Sequence, residues 1–153
     1  FKQISGVSST NTITVNGNGA TVTFASNVAT LPFTMLMSGS DFMTFNNMNF
    51  VGTGATFALT VHLWDTAENN VFNNCTFTSP IVGTGTGLCP FSISGTSVSA
   101  TGAGVSGNNN TVNTSTMTGG YYGTAFFSNT IAPFNTGNSI LNSYIVDFYQ
   151  TGC

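Results

Sequence analysis

Four residues of this 153-residue sequence have carboxylate side chains, the type that could catalyse glycoside hydrolysis. They are Asp41, Asp65, Glu68 and Asp147. Glycosidases use two carboxyl groups that face each other at about 5–10 Å. Asp41 and Glu68 begin two copies of one repeated pattern, so we expect them at equivalent positions of the fold. Neutral residues take this position in the later copies, which is typical of a turn preference and not of a catalytic pair.

Polysaccharide elimination would need a base together with a cation that stabilises a developing enolate. Lys2 is the only lysine of the sequence, and there is no arginine. It lies far from the acidic residues along the chain. The sequence therefore predicts that the chain is not an enzyme. It also predicts that no cofactor is needed.

His62, Trp64 and Asp65 form one chemically rich cluster. In the run Thr60–Trp64, strand alternation sends Val61 to the face opposite His62 and Trp64. If Val61 points inward, Trp64 beside His62 and Asp65 could form an exposed platform on which a sugar stacks. The alternative is that Trp64 packs beneath loop excursions within 81–107, and we favour this structural role.

Cysteine and histidine are too sparse for a metal centre. The chain has three cysteines and a single histidine, whereas a structural zinc site needs about four closely spaced ligands. We therefore predict no metal site. Cys75 and Cys89 could form a disulfide if the chain folds back between them; otherwise Cys75 is expected to be a small buried side chain.

Charge and composition exclude several classes of protein. Charged residues make up 3% of the chain, against about a quarter in an average domain. One basic residue cannot neutralise a phosphate backbone, so nucleic acid is not the partner. No apolar run approaches the length of a transmembrane helix, so we expect no membrane insertion. A hydrophobic fraction of 41% with 14 phenylalanines indicates a packed core.

One pattern occurs four times: an apolar residue, an Asn, a small polar residue and, five positions after the first, a second apolar residue. The first apolar positions are spaced by 27, 40 and 29 residues. Such spacings, with short β-type runs and Asn or Gly turns, predict a solenoid. The pattern predicts three columns, one of Phe45, Phe72, Val112 and Leu141, one of Phe50, Phe77, Met117 and Val146, and one of Asn46, Asn73, Asn113 and Asn142.

In a parallel solenoid these positions would stack on one another about 4.8 Å apart. The first two columns would fill the interior. The Asn column would line a corner, where the amides bond each other and the backbone. We predict a single domain over residues 1–153 with loop excursions near 80–88 and 95–107. No polar capping helix is evident, which predicts that the chain is a fragment of a longer solenoid.

The sequence resembles right-handed parallel β-helix segments of large secreted, cell-surface, adhesin-like proteins of Bacteroidota. The resemblance rests on these segments: Ile13–Phe24, Asn69–Phe77, Gly107–Thr111 with Thr118–Gly123, and Asn135–Asn138 with Asp147–Tyr149. It implies an all-β, right-handed parallel β-helix, for which we expect about four to five coils. It also implies an extracellular or cell-surface location, with export by the type IX secretion system.

The same resemblance points to one modification. Asp65-Thr66-Ala67 is similar to the short Asp-Thr-apolar site at which Bacteroidota attach O-glycans, which makes Thr66 a candidate for glycosylation. The expected role of the chain is structural and adhesive, with adjacent coils, neighbouring copies or surface glycans as partners. A carbohydrate-binding or polysaccharide-degrading domain is the alternative.

Threonine pairs could also form an ice-binding array on a solenoid. Thr12/Thr14 and Thr21/Thr23 show the required alternation. The later coils are not expected to continue a Thr-x-Thr file. Ice binding is therefore not expected from the sequence.

Overall fold

The computed structural model describes residues 1–82, 84–129 and 131–152. Within these ranges the regular secondary structure is entirely β, in fourteen strands. The strands are β1 (Ile13–Asn16), β2 (Thr21–Phe24), β3 (Phe33–Ser38), β4 (Met43–Asn46), β5 (Asn49–Gly52), β6 (Ala58–Trp64), β7 (Val71–Asn73), β8 (Thr76–Ser79), β9 (Leu88–Ile93), β10 (Thr111–Asn113), β11 (Thr116–Gly119), β12 (Ala125–Phe126), β13 (Ser139–Leu141) and β14 (Tyr144–Val146). The described ranges contain no helix long and apolar enough to cross a bilayer.

Every third strand pairs in parallel, which produces three sheets. Sheet I has the order β1-β4-β7-β10-β13, sheet II the order β2-β5-β8-β11-β14, and sheet III the order β3-β6-β9-β12. The chain therefore winds about an axis in about five coils, a coil being one circuit through the three sheets. The predicted parallel β-solenoid is confirmed.

The two predicted apolar columns fill the interior through the middle coils. Phe45 pairs in register with Phe72, and Phe72 with Val112, in sheet I. Phe50, Phe77 and Met117 do the same in sheet II. All of these side chains are at most 1% exposed. These columns confirm the prediction for the first three repeats.

Aromatic packing joins the columns across the interior. The rings of Phe45 and Phe72 stack with centroids 5.1 Å apart, and those of Phe50 and Phe77 stack at 5.6 Å. Phe91 of sheet III meets both Phe72 and Phe77 edge-on at 5.3 Å. Stacking along the axis and edge contacts across it are both favourable aromatic geometries. One cluster of rings thus ties the three sheets together.

The prediction for the last coil is wrong by one residue. Val112 pairs with Ile140 and Met117 with Ile145, so the spacing from the preceding coil is one residue shorter than expected. Leu141 consequently points outward and is 48% exposed, and Val146 is also off the interior column. A slip of one residue exchanges the two faces of a strand. The adjacent apolar pairs Ile140-Leu141 and Ile145-Val146 make both registers compatible with the sequence pattern.

Residues with left-handed backbone dihedrals form two columns at the corners. Asn47, Asn74, Thr114 and Asn142, which have φ between 48° and 54°, follow the strands of sheet I. Phe42, Asn69, Asn109 and Gly137, which have φ between 55° and 71°, precede them. Asn and Gly tolerate this conformation better than other residues. The geometry of these corners therefore accounts for part of the Asn-rich composition.

The segment 95–107 folds back on the solenoid. Gly95 donates to the carbonyl of Gly102, and Ala100 packs with Leu59 and Cys89 in a small apolar cluster on the outer face of sheet III. The second predicted excursion connects β8 to β9 over residues 80–87. Gly83 within it lies outside the described residues.

Candidate functional site

The acidic residues Asp41 and Glu68 belong to a hydrogen-bonded file along one corner. The Glu68 backbone N–H donates to Asp41 Oδ1 at 2.7 Å, and Asn108 Nδ2 donates to Glu68 Oε1 at 2.8 Å. The file continues to Thr136, whose N–H donates to Asn108 Oδ1 at 2.7 Å. The expectation that Asp41 and Glu68 occupy equivalent positions in adjacent coils is confirmed. Their carboxylates accept hydrogen bonds that hold neighbouring coils together.

The other two carboxylates lie elsewhere. Asp65 follows β6 of sheet III, and Asp147 follows β14 of sheet II. Both occupy positions with a left-handed backbone, with φ of 60° and 56°. Asp65 borders a sizeable groove. Asp65 Oδ2 accepts a hydrogen bond from Ser38 Oγ at 3.4 Å, and Ser38 is not a member of the Asp41–Glu68 file.

His62 is inside the protein and cannot take part in an exposed sugar platform. Its ring is 0% exposed, beneath the start of the segment 95–107. Nε2 lies 2.7 Å from the Thr96 carbonyl and Nδ1 lies 2.7 Å from Ser92 Oγ. A carbonyl only accepts, so Nε2 carries the proton and Nδ1 accepts from the serine. Burial lowers the pKa of His62 to about 4, although the Thr96 carbonyl acts in the opposite direction.

Trp64 contacts the segment 95–107 and also borders a groove. Its indole Nε1 donates to the Gly95 carbonyl at 3.3 Å, so it supports the segment 95–107 as the structural alternative predicts. The ring is only partly buried and also lines a groove of about 800 Å³. Phe24, Phe33 and Leu31 contribute apolar walls, and Asp65 a carboxylate. Val61 and Leu63 point into the core, as expected from alternation.

The predicted corner file of asparagines is present. Asn46 Nδ2 donates to Asn16 Oδ1 at 2.8 Å, and Asn73 Nδ2 donates to Asn46 Oδ1 at 3.0 Å. The bonds from Asn113 to Asn73 and from Asn142 to Asn113 are longer, at 3.5 and 3.2 Å. Asn142 reaches the file from the corner position, because Leu141 occupies the strand position next to Asn113. These amides are consumed in a structural ladder.

A second and more deeply buried asparagine file was not recognised in the sequence. Asn70 and Asn110 are at most 1% exposed, and Asn138 continues their column. The Asn70 amide accepts from the Met43 N–H at 3.0 Å and donates to the Ser40 carbonyl at 2.8 Å. Asn110 and Asn138 repeat this arrangement in the next coils. The equal spacing of Asn110–Asn138 and Val112–Ile140 was the signal that could have revealed both this file and the correct register.

The cysteines do not form the disulfide that the sequence left open. Cys75 and Cys89 are both free thiols. Cys75 lies in the main core and Cys89 in the outer cluster beside Leu59. Burial raises the pKa of both thiols, that of Cys89 to about 12. Both are therefore protonated near neutral pH, and Cys153 lies outside the described residues.

Two further site predictions concern Thr66 and metal ions. Thr66 is exposed at the corner after β6, where its hydroxyl is accessible. Its glycosylation stays a prediction. Among the described residues, no group of three or more His, Cys, Asp or Glu side chains is arranged to hold a metal ion.

Comparisons with known proteins, by family models, curated sequences and solved structures, found no match to this chain. The fold and the side-chain files are therefore the basis for any functional conclusion.

The buried asparagine file gives a first prediction. Asn70→Asp should destabilise the protein by about 3 kcal/mol at neutral pH, because a carboxylate oxygen replaces the amide donor that faces the Ser40 carbonyl. Asn73→Asp, on the half-buried corner file, is the matched control and should cost about 1 kcal/mol or less. Urea unfolding of the variants measures the difference. Equal losses of stability would contradict the assignment.

His62 gives a second prediction. Its pKa is lowered in the folded protein, so the unfolded chain binds the proton more tightly between pH 6.5 and about 4. Stability should therefore decline as the pH falls through this window, by up to about 3 kcal/mol, and its dependence on His62 should level off below it. Urea unfolding across this pH range should show this slope, and His62→Gln should remove it. The same slope in both proteins would show that His62 is not responsible.

Proposed function

We propose that this chain is a structural and adhesive segment of an extracellular, repetitive cell-surface protein, and that it is not an enzyme. The observation that supports the proposal is the continuity of three parallel sheets and their side-chain files through about five coils. Such a solenoid is held by contacts between neighbouring coils, so it can extend as a rod with the same local interactions.

The fate of the polar side chains agrees with this role. The carboxylates of Asp41 and Glu68 and the amides of the asparagine files bond to adjacent coils. Chemistry-bearing groups are thus used to join the coils. The low charge of the chain would let neighbouring copies approach without strong repulsion. Adjacent coils of a longer chain and neighbouring copies are the proposed partners, and the family resemblance supports a surface location and type IX export.

Labelling of intact cells tests this proposal. Antibodies raised against the chain should bind producing cells without permeabilisation, whereas a cytosolic protein labelled in parallel should stay inaccessible. Proteinase K applied to the cells should cut first between β12 and β13, where Ile131 and Phe134 are exposed, and should spare the three sheets. Labelling that requires permeabilisation would contradict the proposed location and role.

The groove beside Trp64 favours a second candidate function, glycan binding. It has the volume of a small-ligand site, and it combines the Trp64 ring with Phe24, Phe33 and the Asp65 carboxylate. Aromatic faces with nearby polar groups suit the apolar faces and hydroxyls of a sugar. This site would recruit residues of sheet III and β2.

A glycan array tests this second function. Trp64→Ala should abolish any binding seen with the unaltered chain. Tyr144→Ala is the control, since Tyr144 is an exposed aromatic residue on β14, outside the groove. Urea unfolding should confirm that both variants keep the fold, because Trp64 also bonds to Gly95. Equal binding by the unaltered chain and Trp64→Ala would exclude the groove as the glycan site.

A further inference from the structure

The outer face of sheet II carries an array in which six of the ten outward side chains are threonines, which the sequence analysis did not predict. The inner column of this sheet contains Phe50, Phe77 and Met117, so the residues on either side of each point outward. These outward positions form two files, Thr21, Asn49, Thr76, Thr116 and Tyr144 in one and Thr23, Val51, Thr78, Thr118 and Val146 in the other. Thr-x-Thr pairs therefore recur on β8 and β11, while Asn49 and Val51 on β5 and Tyr144 and Val146 on β14 interrupt the two files.

The core of the array consists of four threonines on two adjacent strands. Thr76 pairs with Thr116, and Thr78 with Thr118. All four are exposed or half-buried. Among the described residues, the hydroxyls of Thr78, Thr116 and Thr118 have no hydrogen-bonding partner within the protein, while that of Thr76 donates to Asn49 Oδ1 at 2.7 Å. Most of these hydroxyls are free to bond to an external lattice.

The spacing of this array is set by the parallel sheet. Neighbouring strands lie about 4.8 Å apart, and alternate residues along a strand lie about 6.6 Å apart. The register continues across all five strands of sheet II. Threonine is stiff about χ1, so its methyl and hydroxyl groups repeat at defined positions. A periodic surface is the partner that such an array fits.

The side chains of the array indicate which kind of periodic surface it would bind. None of the ten outward positions is a charged residue, which suits an uncharged partner. Tyr144 is the single aromatic residue, at the last strand, whereas protein interfaces are enriched in aromatic anchors. A polar groove of about 430 Å³, lined by Asn18, Asn47, Asn49, Asn74 and Thr76 among others, runs along the border of the array. Its amides can hold ordered water beside the threonines.

We propose that the outer face of sheet II binds the surface of ice. Oxygen atoms repeat on ice faces at distances comparable with both spacings of the array. Ice consists of water alone, so it is an uncharged partner. The threonine hydroxyls would bond into this lattice while the methyl groups between them hold the adjacent water in an ordered arrangement. The inference goes beyond the role as a rod and does not need the groove at Trp64.

Thermal hysteresis and ice recrystallisation measurements test the proposal on the chain as it is. The unaltered protein should shape ice crystals and slow their recrystallisation. Thr78→Tyr places a bulky ring in the centre of the array and should abolish both effects. Thr44→Tyr is the matched control, because Thr44 is equally half-buried but points outward from sheet I, and it should retain both effects.

A second variant and a measurement of folding separate a loss of ice binding from a loss of structure. Thr76→Lys adds a charge at an exposed position and should also abolish activity, so a folding failure of Thr78→Tyr would leave a second variant to decide. Urea unfolding identifies which variants are folded. An unaltered chain without ice activity would overturn the proposal, as would equal losses in Thr78→Tyr and Thr44→Tyr. Retention on crystalline cellulose without any effect on ice would overturn it in favour of a polysaccharide surface.

Discussion

Parallel main-chain pairing between successive coils is the constraint on which the whole structure depends. Each coil donates to and accepts from the coils on either side, so residues at equivalent positions lie about 4.8 Å apart. Each residue must therefore pack well against a residue of the same type at the equivalent position of the next coil. Aromatic rings stack on rings, amides bond to amides, and left-handed corners lie above left-handed corners. The repeated sequence pattern is the consequence of this packing.

Polar ladders fix the register where the apolar columns leave it open, as they do in the last coil. A buried amide such as Asn70 has several partners at fixed positions, and a shifted register would leave them unsatisfied. The last coil shows the difference. Its apolar pairs fit two registers, and the coil adopts the one in which Asn138 bonds to Asn110 and Ile140 enters the core.

Most residues whose side chains could carry chemistry are used to hold the fold together. Asp41 and Glu68 join adjacent coils, and His62 and Trp64 hold the segment 95–107 against sheet III. Burial keeps the thiols of Cys75 and Cys89 protonated. The surface features that remain available to a partner include the groove beside Trp64 and the threonine face of sheet II.

The sequence by itself determined the solenoid, the phenylalanine columns of the central coils and the corner file from Asn46 to Asn113, because parallel stacking imposes like residues at a readable spacing. It also indicated that Asp41 and Glu68 are equivalent. Only the tertiary structure decided the register of the last coil, the buried file at Asn70 and Asn110, and the burial of His62 beneath 95–107. The burial of His62 depends on a distant segment that covers the outer face of sheet III, and the register of the last coil depends on which of two adjacent apolar residues enters the core. The Thr-x-Thr pairs of β2 and β8 are separated by β5, which carries Asn49 and Val51 instead. They belong to one surface because strand pairing places all three strands in the same sheet.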